Sequence, residues 1–348
     1  MKKLLIYMTA LLMLTACSSS DDRMEEPQPV VPGTEPAVTE SESDFTMLSF
    51  SRANRVLTVE DEYSSIGVFL IGGTEGTQAG QFRYRQNDHR WHSSLEVTNG
   101  QTYRLYGYGP ADVVTAAISD ESADGVTMTF SNLPSVSSQD ICFVVGVQHM
   151  SEVEGTKDIK LGKFSFEAAA QDHNFINLLM DHLYAGLQLK MTIDTDYAQL
   201  RSIRIRKLEL QSTNTTSQAT VVLLAKTDES DPVQSVTYSG YTGTGRTATF
   251  FESTTGVELT VAGATTPTEF EATCCFVPTL GDDLTLVTTY DVFDKNRNKI
   301  AERTASNKLP NFSAARGERV KVTMNVKPTY LYVLSDPDLD NPTITIGN

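Results

Sequence analysis

Basic residues are few: 28 Lys and Arg stand against 44 Asp and Glu, a formal net charge of −16. A nucleic-acid partner requires a basic surface to neutralise phosphates, so that class of function is excluded, and a self-repelling acidic exterior is favoured instead. Cysteine is nearly absent as well. Of four, one is Cys17, and the remaining Cys142, Cys274 and Cys275 are an odd number that cannot form a closed disulfide framework; they read as small core side chains. No sustained 3.6-residue period of apolar residues occurs, which argues against a helical architecture. The only long hydrophobic run is Leu4–Leu14, too short to span a bilayer as a mature helix, and no transmembrane span remains beyond it. Ser, His and Asp are present, but there is no nucleophile elbow or other local motif to place a catalytic triad, so no enzyme is expected.

That run follows Lys2-Lys3 and ends in Leu14-Thr15-Ala16-Cys17, the tripartite plan of a secretory signal over residues 1–17. It resembles a bacterial lipobox, which implies an acylated Cys17 as the first mature residue. At about 0.8 kcal/mol per buried methylene, two or more acyl chains hold a protein stably on a membrane. Residues 18–44, rich in Ser, Asp, Glu, Pro and Thr, bury too little to offset the entropy of ordering and read as a tether. Its start, Ser18-Ser19-Ser20-Asp21-Asp22, resembles the acidic signal that sends lipoproteins to the outer face in the Bacteroidota.

The rest is a series of short period-two segments separated by turn residues. Leu48 and Phe50 alternate with Met47, Ser49 and Ser51 in a strand that ends at Arg52-Ala53, with Arg55 close behind. Ile66–Ile71 is a candidate fully buried strand, and Phe82–Arg85, Tyr103–Tyr108, Val126–Phe130 and Ile141–Val147 continue the series. The pattern lapses around Ala168–Asp172, placing a first all-β domain at 56–170 and a second at 171–348. In the second, Asp181–Ala185 suggests one helical turn. Leu187, Leu189, Met191 and Ile193 alternate with Gln188, Lys190 and Thr192 as a strand with one wet face. Ile203 and Ile205 are out of phase with Leu208 and Leu210, predicting a bulge near Lys207. Val257-Leu259-Val261, Leu284-Leu286 and Val320-Val322-Met324-Val326 repeat the half-buried pattern, and Asp294–Lys299 reads as a hairpin tip. Tyr330–Leu334 reads as a strand, Asp336–Pro342 as a stiff acidic spacer, and Thr343-Ile344-Thr345-Ile346 as a terminal strand too short to stand alone. One apolar face per sheet needs a second sheet to cover it, hence β-sandwiches.

In this order along the chain, the lipobox, the tether, Leu48–Ala53, Ile66–Phe69, Phe82–Trp91, Tyr103–Pro110 and Asp181–Leu187 resemble the fimbrillins, the lipoprotein pilins of type V pili in the Bacteroidota. The resemblance implies two tandem transthyretin-like β-sandwich domains and an outer-membrane lipoprotein precursor exposed at the cell surface. It also implies an arginine-specific cut that removes residues 18–55 with the first strand, and assembly with other subunits by strand addition for cell adhesion. By that resemblance Arg52 is the processing candidate and Arg55 the second, Leu48 and Phe50 fill the removable strand's sockets, and Ile344 and Ile346 belong to the donor strand. The competing function is a surface lipoprotein that binds glycans for nutrient capture; a single Trp makes sugar platforms sparse, although 13 Tyr keep it open.

Other features read as structural. Asp336-x-Asp338-x-Asp340-Asn341 opens like a calcium loop but lacks the glycine at the sixth position and the glutamate at the twelfth. His89 and His92 flank Trp91 without converging, vicinal Cys274-Cys275 faces two ways on a strand, and Arg204, Arg206 and Lys207 form a solvated stripe. No metal or other cofactor is expected.

Overall fold

The computed structural model of the chain describes residues 42–52, 63–153, 158–170, 173–265, 268–278, 284–309, 314–327 and 338–347. Strands number in chain order from β1. The first sheet holds β1 (Phe45–Arg52), β2 (Ser65–Gly72), β3 (Gly76–Arg85), β4 (Arg90–His92), β5 (Thr102–Gly109), β9 (Cys142–Met150), β10 (Ser165–Glu167) and β11 (Asn174–His182), in the order β1-β11-β9-β5-β2-β3-β4 with β10 on β5. The second runs β15-β14-β7-β6, from β6 (Thr115–Ser122), β7 (Gly125–Pro134), β14 (Thr216–Leu224) and β15 (Val233–Thr242). The third runs β22-β21-β12-β18-β8, from β8 (Val136–Ser137), β12 (Ala185–Ile193), β18 (Thr268–Phe276), β21 (Arg319–Lys327) and β22 (Asp338–Gly347), with β17 (Thr260–Val261) on β12. The fourth is β16-β13-β19-β20, from β13 (Ser202–Ser212), β16 (Arg246–Glu258), β19 (Leu284–Phe293) and β20 (Lys299–Lys308). One helical turn, α1 (Thr195–Ala198), is capped by the Asp194 carboxylate. The protein is all-β, its sheets stacked in sandwich fashion around shared cores.

Alternation along the central strands of the first sheet feeds two apolar clusters. Ile66, Val68 and Leu70 of β2 and Ile176, Leu178 and Met180 of β11 face one. Ile71, Tyr106 and Phe143 face the other, which continues through Met128, Leu187, Leu208 and Val322 of the remaining sheets. The strand at Ile66–Ile71 is thus buried on both faces, as its unbroken apolar run predicts. The bulge near Lys207 is present, with register broken between Ile205 and Lys207 towards both neighbours of β13.

Other expectations change. The sheets do not divide at residue 170: β11 lies beside β9, β14 pairs with β7, and β18 pairs with β8. Asp181 and His182 end β11, and no helical turn follows. The second face of β12 is covered too, because Gln188 and Thr192 are each only 8% exposed. Val257 and Val261 are exposed and only Leu259 of that triplet is buried, since the chain passes from β16 to the two-residue β17 there. Asp294–Lys299 does close the β19–β20 hairpin, the Asp294 carboxylate accepting from the Asn296 and Asn298 amides at 2.8 Å each. The acidic spacer is shorter than its composition suggests, because Asp338, Asp340 and Pro342 already lie within β22.

Candidate functional site

The candidate site is the seat of β1. Phe45 pairs with Asn174, Met47 with Ile176 and Arg52 with Met180, so β1 runs parallel to β11 and forms the end of the first sheet. Its other edge is met by the segment at and after β4. The Ser43 amide donates to the Ser93 carbonyl at 3.0 Å, the Ser93 hydroxyl to the Phe45 carbonyl at 2.5 Å, and the Thr46 hydroxyl to the Trp91 carbonyl. The strand therefore sits between the two ends of one sheet, with hydrogen bonds on both flanks.

Which side chains fill the seat differs from the sequence pattern. Phe45 and Met47 are buried, at 1% and 2% exposure, while Leu48 and Phe50 are half-buried. The cause is a bulge between Met47 and Ser49 in the pairing with β11, which shifts the strand's phase by one residue. Ahead of it, the Phe45 ring lies 5.7 Å from Phe82 and stacks on Phe166 at 5.9 Å. Beyond it, Phe50 stacks on Tyr63 at 5.1 Å and meets the edge of Trp91 at 6.1 Å. Apolar residues in both phases at 45, 47, 48 and 50 conceal the bulge from a period-two reading, which starts the strand at Phe45 but assigns the sockets to Leu48 and Phe50; Phe45 is its main anchor.

A second polar layer holds the mouth. His149 Nε2 lies 2.6 Å from Asn174 Oδ1, which also accepts the Ala169 amide at 2.8 Å, and the imidazole stacks on Phe166 at 4.9 Å. Burial holds the His149 imidazole below its usual pKa, against the raising effect of its hydrogen bond to Asn174. A polar cleft of about 500 Å³ opens here between Glu42, Asp44, Glu96 and Asn174.

Cys17, Arg55 and residues 18–41 of the tether lie outside the described residues, as do Ala53, Val56, Tyr330–Leu334 and Asp336; the last tether residues, Glu42, Ser43 and Asp44, are described at the mouth of the seat. Arg52 is the last residue of β1. Ile344 and Ile346 lie in β22, where they pair with Met324 and Val322 of β21 in antiparallel register. β1 and β22 therefore lie in different sheets.

The remaining residues singled out by sequence stay structural. Trp91 is packed against Phe50 and Tyr84 and is not an open sugar platform. His92 lies 2.7 Å from Asp88 Oδ2, and His89 Nδ1 lies 3.2 Å from the Tyr84 hydroxyl, so the two rings engage different partners. Cys274 and Cys275 are fully buried, and desolvation pushes the Cys274 thiol well above its ordinary range. Arg204 pairs with Glu258 at 3.2 Å, Arg206 with Asp291 at 3.4 Å and Lys207 with Glu209 at 2.7 Å, which neutralises the basic stripe locally.

No protein-family model matches the chain, and no curated protein does. Among solved structures it is similar to a fimbrial protein of Bacteroides vulgatus, at 12% identity over 88% of this chain and 99% of that one, with a TM-score of 0.43. A candidate cell adhesion protein of Bacteroides uniformis matches at 10% identity over 90% of this chain and 98% of its own, with a TM-score of 0.34. Another from Bacteroides fragilis matches at 10% identity over 85% and 88%, with a TM-score of 0.36.

Proposed function

We propose that the protein is a structural or accessory pilin subunit of a surface fimbria serving cell adhesion, and that β1 is a removable strand whose place is taken by a strand of another subunit. The observation that carries this reading is the seat itself. β1 contributes Phe45 and Met47 to a core built otherwise from residues beyond position 62. Arg52 closes the strand and Arg55 follows it, so a cut at either frees β1 from the rest of the chain. Losing β1 would strip the β11 edge of its parallel partner and empty two apolar sockets, each worth roughly 1.5–3 kcal/mol when filled. An incoming strand with apolar residues two apart restores both, which is the strand-addition mode of recognition. Ile344-Thr345-Ile346 has that spacing, and to serve in trans it must first leave β21.

In this scheme the precursor is held at the outer membrane by acylated Cys17 and exposed at the cell surface, and its partners after processing are other pilin subunits. N-terminal sequencing of the surface protein is the test. A start at Ala53 or Val56 is expected; a mature, assembled form that still begins at lipidated Cys17 and retains β1 refutes the scheme.

A further inference from the structure

We propose that Asp140, Cys142 and His182 form a structural binding site for a divalent transition-metal ion of the zinc type in the interior of the first sheet. Asp140 stands two residues before Cys142, the first residue of β9, and two-residue spacing in extended chain directs both side chains to one face. His182 is the last residue of β11, and the antiparallel register sets it opposite Cys142. Only this pairing brings the three together, across 40 residues of sequence. All three are fully buried, and one ligand atom from each lies within 4.8 Å of the other two.

The geometry suits a tetrahedral ion. Cys142 Sγ lies 3.8 Å from His182 Nδ1 and 3.1 Å from Asp140 Oδ2, and His182 Nδ1 lies 2.5 Å from Asp140 Oδ2. Metal bonds of about 2.3 Å to sulfur and about 2.0–2.2 Å to nitrogen and oxygen require ligand-to-ligand edges of roughly 3.3–3.6 Å. Two of the three edges lie within a few tenths of an ångström of that span. The third opens by roughly 0.8 Å when the His–Asp hydrogen bond is exchanged for two metal bonds. With one ligand atom each, Asp140, Cys142 and His182 supply three of the four positions.

Charge points the same way. A thiolate, a carboxylate and a neutral imidazole sum to −2, which a divalent cation cancels, whereas ionised groups buried without adequate compensation are costly. Both backbones that carry the ligands are fixed from outside: the Tyr63 hydroxyl donates to the Asp140 carbonyl at 2.8 Å, and Arg316 Nη1 donates to the His182 carbonyl at 2.8 Å. With the ligands this deeply enclosed, the ion enters as β9 and β11 pair, the thiol proton is released to water, and metal affinity becomes part of folding free energy.

The test is refolding of the full chain from denaturant in chelator, in Zn(II) or in Co(II). The expected result is one equivalent of Co(II) with tetrahedral d–d bands and a thiolate-to-cobalt charge-transfer band, and a higher Tm after Zn(II) refolding than after chelator refolding. Cys142→Ser and, separately, His182→Asn should abolish the charge-transfer band and the Zn(II)-dependent rise in Tm. Cys142→Ala, which leaves a small apolar side chain in the core, guards against a variant that merely fails to fold: it should match the chelator-refolded wild type in Tm and take up no cobalt at this site. A wild-type chain with the same Tm under all three conditions and no charge-transfer band overturns the proposal, as does a cobalt spectrum that survives in Cys142→Ala.

Discussion

Phe45→Ala and Leu48→Ala separate the observed seat of β1 from the register that simple alternation would give. Phe45 is 1% exposed and lies against Phe82 and Phe166, so truncation removes a ring and leaves a cavity walled by two others. Such a change costs about 3–5 kcal/mol. Leu48 lies at the bulge and is half-buried, so its truncation forfeits about half of a fully buried leucine's loss, roughly 1–2 kcal/mol. Against a net stability of about 5–15 kcal/mol the first is severe and the second mild. With about 2–4 °C of Tm per kcal/mol in chains of 150–250 residues, Phe45→Ala should melt roughly 10 °C lower and Leu48→Ala a few degrees lower. Urea titration followed by circular dichroism and by tyrosine fluorescence checks this, coincidence of the two probes licensing a single free energy. Equal losses, or a larger loss at Leu48, would place Leu48 inward in place of Phe45 and remove the bulge from the account.

Acidification should loosen the mouth of the same seat. Burial holds His149 below 6.5, so the unfolded chain binds its proton more readily than the folded one; the stability this provides is present above about pH 6.5 and is lost as pH falls through and below it. His149→Gln should flatten the fall in Tm between about pH 7 and pH 5, and parallel curves for variant and wild type would dismiss the residue as its source. In the proposed assembly, Ile344→Asp should yield a folded, exported monomer that does not polymerise, and full-length polymers from that variant would remove the C-terminal strand from the scheme. Gly67→Ala puts a methyl group against the Tyr108 ring, whose hydroxyl oxygen would lie 2.8 Å away, and Tyr108 is itself packed edge-on to Phe130 at 5.9 Å. A loss of about 1–3 kcal/mol in urea is expected, and an unchanged midpoint would mean that the ring is free to move aside.

What the sequence disclosed follows from the range of each signal. Period-two alternation is local, so the all-β class, the buried strand at Ile66–Ile71 and the bulge after Ile205 were legible. The bulge at Lys207 declared itself because Ile203 and Ile205 alone occupy one phase and Leu208 and Leu210 alone the other. That in β1 stayed hidden because Met47 and Leu48 are adjacent apolar residues, one in each phase. Pairings between distant segments leave no local trace. The parallel ladders β1–β11 and β12–β21 and the antiparallel pairing β7–β14 join residues more than 80 positions apart, which is why a boundary at 170 is read from the local lapse in alternation alone. The Asp140–Cys142–His182 cluster was illegible for the same reason. Two of its members are neighbours, and the third arrives only through β9–β11 register.

The same long separation makes β1 suited to replacement. While it remains attached, it is present to its seat at an effective concentration of order millimolar, so a strand offered in trans at micromolar concentration competes at a disadvantage of about a thousandfold, roughly 4 kcal/mol. Phe45 and Met47, with two sockets at roughly 1.5–3 kcal/mol each, contribute an amount comparable to that handicap. A donor whose apolar payload only matches theirs therefore cannot displace β1 from the intact chain. A cut after Arg52 or Arg55 cancels the tethering advantage without altering a single contact in the seat, so β1 can diffuse away and the contest is then decided by side-chain fit and local donor concentration. Processing in the proposed scheme thus acts through entropy, and it predicts that a chain cut at Arg52 but kept with a saturating excess of the Phe45–Arg52 peptide will stay monomeric, while the same chain after dialysis of the peptide will assemble.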